Sequence, residues 1–168
     1  MALIIEDGSI VAGADSYVSR AEYIAYALTQ GVTIPDTDAT DVTLRQCAAF
    51  IDEHEPTLKG DRKTRDQAMA FPRYGVYIDG FWWTDSEIPR QARYCQMQLA
   101  LDVYAGVDIY NLPASASVPV KSERVEGAVS VEYAVSNQMK TSRNSSSRAL
   151  LSQLLERSGL YSIPIIRA

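Results

Sequence analysis

Apolar residues recur at helical spacing in several stretches of the chain. Tyr23, Ile24, Ala27 and Leu28 form the first stripe, entered through Ser19-Arg20-Ala21-Glu22. That tetrapeptide has the form of a capping box, in which the serine hydroxyl accepts an orphaned amide and the glutamate reaches back. Val18 and Tyr23 stand where a hydrophobic staple closes a helix entry. Gly31 is placed to end the helix in a left-handed conformation. Leu44, Cys47, Ala48 and Ile51 define a second helix at i, i+3, i+4, i+7. Thr40 or Asp41 is its expected N-cap, and Pro56 stops it because proline disfavours helix in the residue ahead. Ala92, Cys95, Leu99 and Val103 predict a third helix over 89–105. Pro89 would be its first residue, where a missing amide costs nothing, and Gly106 its stop. Leu150, Leu151, Leu154 and Leu155 predict a short last helix, capped by Ser146 or Ser147 and ended by Gly159.

Elsewhere the period drops to two. Val129, Val131, Tyr133 and Val135 alternate with Ser130, Glu132 and Ala134, and Glu126-Gly127 offers a turn, so 119–135 reads as a β-hairpin. Two strands are marginal alone. The apolar face of Val129, Val131 and Tyr133 is therefore expected to pack on a neighbouring subunit. Residues 56–88 are broken by Gly60, Pro72, Gly75 and Gly80. They predict a helical turn at Arg65–Ala70, then a packed loop or small hairpin turning at Asp79-Gly80. The fold class is mainly α: a small α-helical bundle with an inserted β-hairpin and an extended C-terminal arm. Residues 1–135 form the domain, and 136–168 supply a polar linker, a short helix and the arm.

At 168 residues, 46% hydrophobic and 22% charged, the composition is that of one globular domain. No apolar run approaches the ~20 residues that span a bilayer, and the N-terminus lacks the basic flank of a signal peptide. Cys47 and Cys95 fall on apolar faces and make no disulfide framework. His54 is the single histidine, with no second histidine or adjacent cysteine to complete a zinc site. It reads as a surface or capping residue. Neither a nucleophile elbow nor a glycine-rich phosphate loop occurs. No catalytic residue, cofactor or metal is assigned, and the chain is not expected to be an enzyme.

Charge changes the picture more. Residues 1–60 hold ten acids and three bases, whereas 136–168 hold five bases and one acid. A basic tail suits an acidic partner or nucleic acid. Its end is also apolar: Leu160, Tyr161, Ile163, Ile165 and Ile166, flanked by Arg157 and Arg167, are expected to anchor on another protein. A second basic stretch, Lys59, Arg62, Lys63 and Arg65, precedes Phe71, Arg73, Tyr74, Trp82 and Trp83. Single-strand binders use that mixture, cations for the backbone and rings for the bases. The neighbouring Val, Ile and Pro favour core packing for the rings instead, with the basic residues solvating the loop.

The pieces ADSYVSRAEYIAYA at 14–27, LKGDRKTRDQAMAFPRYGVYIDG at 58–80, SEIPRQARYCQMQLAL at 86–101 and VKSERVEGAVSVEYA at 120–134 resemble a family of tailed-bacteriophage proteins encoded among head and head–tail genes. Its members often carry a label of similarity to DnaT, a primosomal single-stranded-DNA binder. The most specific pieces are Asp15-Ser16-Tyr17, Asp66-Gln67 with Phe71-Pro72-Arg73, Ile88-Pro89 and Val131-Glu132-Tyr133. Many members have Trp where this chain has Phe71. The resemblance implies one of two roles. The first is a head–tail adaptor in the virion, made in the host cytoplasm: a ring, twelve-fold in the family, that joins the portal protein to a tail-side connector, with DNA only as passing cargo. The second is single-stranded-DNA binding. The acidic sum, twenty-one acids to sixteen bases, and the presence of a helical core, a β element and a tail favour the adaptor. On that reading the isolated subunit should not bind DNA at physiological salt.

Overall fold

A computed structural model describes residues 2–110 and 146–156. Among them are four α-helices, α1 (Arg20–Thr29), α2 (Asp38–Glu53), α3 (Arg90–Tyr104) and α4 (Ser146–Leu154), and four two-residue strands. The strands pair as two antiparallel hairpins, β1 (Asp61–Arg62) with β2 (Arg73–Tyr74) and β3 (Tyr77–Ile78) with β4 (Phe81–Trp82). The fold is mainly α with small β-hairpins, as the periodicity predicts. The predicted hairpin at 119–135, with Val129, Val131 and Tyr133, lies outside the described residues. So does the arm at 157–168, with Arg157, Leu160, Tyr161, Ile163, Ile165, Ile166 and Arg167.

The helix boundaries follow from local chemistry. At the start of α1, Glu22 N donates to Ser19 Oγ at 3.2 Å, and Ser19 N donates to a Glu22 carboxylate oxygen at 2.9 Å. Val18 and Tyr23 are both buried, completing the staple. At the far end, Val32 N donates to Ala27 O and Gly31 N to Leu28 O, a Schellman closure. The end of α3 repeats it, with Val107 N on Asp102 O and Gly106 N on Val103 O. Helix α2 starts earlier than the expected Thr40 or Asp41, with Thr37 as N-cap. Its first turn is held from outside: Arg20 Nε lies 3.0 Å from Asp36 and 3.4 Å from Asp41, and its Nη1 3.7 Å from Asp38. Acids in the first turn also suit the positive end of the helix dipole. Thr40 instead points its hydroxyl back to Pro35 O. Pro89 is the N-cap of α3 and not its expected first residue, one position ahead of the helix.

The core joins α2, α3 and α4 around Leu44, Cys47, Ile51, Cys95, Leu99, Leu151 and Leu154. Burial pushes both thiols up to about 12, which leaves them inert. Several polar side chains run through this core with their hydrogen bonds made. Gln96, fully buried, accepts from Tyr17 N at 2.9 Å and donates to Ser16 Oγ at 2.7 Å and Leu44 O at 2.9 Å. One side chain on α3 therefore fixes both α2 and the N-terminal segment. Glu6, equally hidden, accepts from the amides of Gly8, Ile10 and Val11 and folds the first loop around itself. Tyr17 donates its hydroxyl to Asp52 and accepts from Phe71 N. Burial raises the Asp52 carboxyl to about 6. His54 caps α2, its Nδ1 2.9 Å from Phe50 O.

Residues 65–70 form bends and a turn instead of the expected helical turn. Gln67 organises them from inside. Its Oε1 accepts from Lys63 N and Thr64 N, and its Nε2 donates to Met69 O, Ala70 O and Pro72 O. A side chain that satisfies several neighbouring backbone groups competes directly with a helix for them.

Candidate nucleic-acid interface

The two hairpins follow one another in the chain between α2 and α3. Val76 and Ile78 are both 1% exposed, so they peg β3 into the core. Successive strand residues face opposite ways, and Tyr77 between them is turned out. Asp79 and Gly80 make the turn at φ of 53° and 86°. The double positive φ is that of a two-residue type I′ turn, for which Asp-Gly is a favoured pair. Beyond it, Phe81 is 73% and Trp82 72% exposed. Trp82 sits opposite Tyr77 in the register, with ring centroids 5.0 Å apart at 51°. With Tyr74, also exposed on β2, four rings face solvent between residues 74 and 82. An exposed apolar patch of this kind marks a contact surface.

The β1–β2 hairpin positions the basic residues, and it treats them unequally. Arg73 is buried, donating to Lys59 O and Gly60 O and meeting Glu55 at 3.4 Å. Arg62 clasps the same Glu55 with Nη1, 2.9 and 3.0 Å from the two carboxylate oxygens, and donates to Thr64 O and Gln67 O. Gly60 is where this works: a Cβ there would stand 2.1 Å from Tyr74 O. Lys63 Nζ is 3.8 Å from Asp85. Arg65 is 96% exposed, with Asp66 at 4.0 Å. Lys59 lines a groove of about 790 Å³ with Tyr77, Asp79, Ser152, Gln153, Leu155 and Glu156.

The sequence expectations divide accordingly. Lys59 shares a groove with Tyr77, the ring that packs on Trp82, whereas Arg62 is held by Glu55, Lys63 lies near Asp85 and Arg65 is exposed beside Asp66. Trp83 is half-buried and lines a separate cleft with Tyr17, Glu22, Arg90 and Arg93. Phe71 is core, as the Val/Ile/Pro context predicts, but Tyr74, Tyr77, Phe81 and Trp82 are not. Tyr77 and Phe81 were missing from the expected interface. The Val76-Tyr77-Ile78 alternation ahead of Asp79-Gly80 is the signal that places Tyr77 outward.

A family described as "Putative DnaT-like ssDNA binding protein" matches residues 1–168. The chain belongs to this family. No curated protein and no solved structure matches it. Membership in the DnaT-like family corrects the adaptor role preferred from sequence. The family's description names single-stranded DNA, and nothing in it supports a head–tail joint, a portal protein or tail-side partner, or a ring of twelve with DNA as passing cargo. The physical error lay in using the whole-chain charge. Between 59 and 83, five bases face three acids, and binding follows the local surface more than the sum.

Proposed function

We propose that this protein binds single-stranded DNA without catalysing a reaction on it, through the ribbon of Tyr74, Tyr77, Phe81 and Trp82. The observation that carries this is the exposure of Phe81 and Trp82, at 73% and 72%, on a hairpin rigidly pegged by Val76 and Ile78. Each base has a π-face, and stacking on an exposed ring contributes about 1–3 kcal/mol per base without regard to sequence. A duplex keeps its bases stacked on each other, so it has no faces to offer. The family description supports the same ligand.

Phosphate contacts are the smaller share. Glu55 already neutralises much of Arg62 and Arg73, which leaves Lys59, Lys63 and Arg65 for the backbone. Two or three contacts to a single strand give a slope of roughly −1.5 to −2 in log K against log salt. The test is a titration of the full chain with a labelled mixed-sequence single strand and its duplex over a range of salt. Single-strand binding with that shallow slope and with quenching of tryptophan emission is the expected result. No binding, or equal binding to the duplex, overturns the proposal.

A further inference from the structure

The ribbon does not end at Trp82. Tyr77 is shared: one side of its environment is Trp82, 5.0 Å away, and it also lines the groove that runs to the end of α4. A strand whose base stacks at Trp82 and Tyr77 therefore has a neighbouring base at the mouth of that groove. We infer that this groove reads the edge of that base and selects cytosine over uracil or thymine. The inference rests on the ribbon being the single-strand site.

The chemistry lies in the groove's polar side chains. Asp79 and Glu156, two carboxylates, are acceptor-only when ionised. Asp79 Oδ2 accepts from Gln91 Nε2 at 3.2 Å, which fixes the side chain. Its Oδ1 accepts no hydrogen bond among the described residues and is left for a ligand donor. Ser152 and Gln153 on α4 adapt to either polarity, and Leu155 supplies apolar contact. Lys59 stands at the same groove with a positive charge suited to a phosphate.

Cytosine presents an amino group at C4, the donor that Asp and Glu accept in base-edge recognition. Uracil and thymine present a carbonyl oxygen at that position. Two acceptors facing each other repel, and each must give up water without a replacement bond. The pyrimidines stack similarly, so the groove and not the ribbon sets the difference between them.

The experiment compares labelled oligodeoxycytidine with oligodeoxyuridine of equal length at neutral pH, which removes the thymine methyl as a variable. The full chain should bind the cytidine strand about five- to tenfold more tightly, the low end of what one base-edge contact discriminates. Asp79→Asn tests the assignment. Asparagine tolerates the left-handed conformation that residue 79 adopts, and its amide can donate to a uracil carbonyl. The variant should lose the preference while its affinity for uridine holds or rises. Equal affinity of the unaltered protein for both strands overturns this inference and leaves the ribbon standing. A preference that survives in Asp79→Asn overturns the role of Asp79. Failure to bind either strand overturns the ribbon and the groove together.

Discussion

The helical body and the hairpin ribbon handle their polar and apolar groups in opposite ways. In the body, three polar side chains are hidden and well bonded: Gln96, Glu6 and Gln67 are each at most 3% exposed. In the ribbon, large rings stand in water on a hairpin whose own anchors, Val76 and Ile78, are small. Burying a polar group without a partner costs a good deal, so the body's polar network fixes a single arrangement of segments. Leaving Trp82 exposed gives up the burial energy a tryptophan could contribute. The body specifies the structure, and the ribbon keeps a surface for a partner.

Much of the resemblance motif belongs to the body. Asp15 pairs with Arg45 at 2.5 Å, Ser16 meets Gln96, and Tyr17 meets Asp52 and Phe71 N. Gln67 and Arg73 fold the 60–73 loop. These residues hold the scaffold, and the exposed rings lie just after them in the chain.

The largest effect should come from breaking the body. Gln96→Leu leaves Tyr17 N buried without a partner, at a cost of about 1–3 kcal/mol, while Leu44 O keeps its bond within α2. Urea unfolding should register a loss of about 1–3 kcal/mol. A smaller loss would mean that water reaches that amide and that the network is not what fixes the N-terminal segment.

The ribbon should respond the other way. Trp82→Ala removes a ring that is mostly solvated, so stability should move by less than about 0.5 kcal/mol. Affinity for a single strand should fall by about 1–3 kcal/mol, as expected for one lost stacking partner. Equal losses in folding and in binding would show that Trp82 belongs to the core and would dissolve the contrast.

That contrast was only half legible in the sequence. Helix ends were readable because capping is local: Ser19 with Glu22, Gly31 and Gly106 act within a few residues. The start of α2 was misjudged because Arg20, eighteen or so positions upstream, holds Asp36, Asp38 and Asp41. Asp79-Gly80 announced its turn. The outward rings did not announce themselves, because a strand of two residues is too short for its alternation to stand out. Gln96 and Gln67 were invisible for a different reason. Apart from Ser16 Oγ, their partners are backbone atoms, some of them far along the chain, and any sequence supplies those.

Acid should sharpen the comparison by touching the body alone. Burial raises Asp52 to about 6 in the folded chain, while its ordinary value is 3.8. The folded state then binds the proton more readily than the unfolded state between those values. By linkage, the contribution of Asp52 to stability falls as pH rises through that window and is least favourable above about 6. Lowered values at Glu22 and Asp7 act in the opposite sense, so the total need not follow Asp52. The difference between the parent and Asp52→Asn isolates it. Asparagine keeps an acceptor for the Tyr17 hydroxyl. From pH 7 down to 5 the parent should gain on the variant by about 1 kcal/mol. Parallel stability curves would show that Asp52 is more hydrated than its position implies.

The smallest effect is the most selective for the ribbon's edge. Arg65 is 96% exposed, and so is Asp66, its neighbour at 4.0 Å. A pair so solvated contributes almost nothing to folding, so Arg65→Ala should melt with the parent. Arg62 and Arg73 cannot serve this purpose, since Glu55 and the carbonyls of Gly60 and Gln67 tie both into the loop's structure. If the strand passes the 59–65 loop on its way to Trp82, loss of Arg65 removes one phosphate contact. The salt slope should then flatten by about 0.7, the value for one counterion on a single strand, and affinity at low salt should drop a few-fold. Trp82→Ala should leave that slope unchanged, because a stacked ring releases no counterion. An Arg65→Ala variant with the parent's slope would place the strand's backbone on the other side of the rings, toward Lys59 and the end of α4.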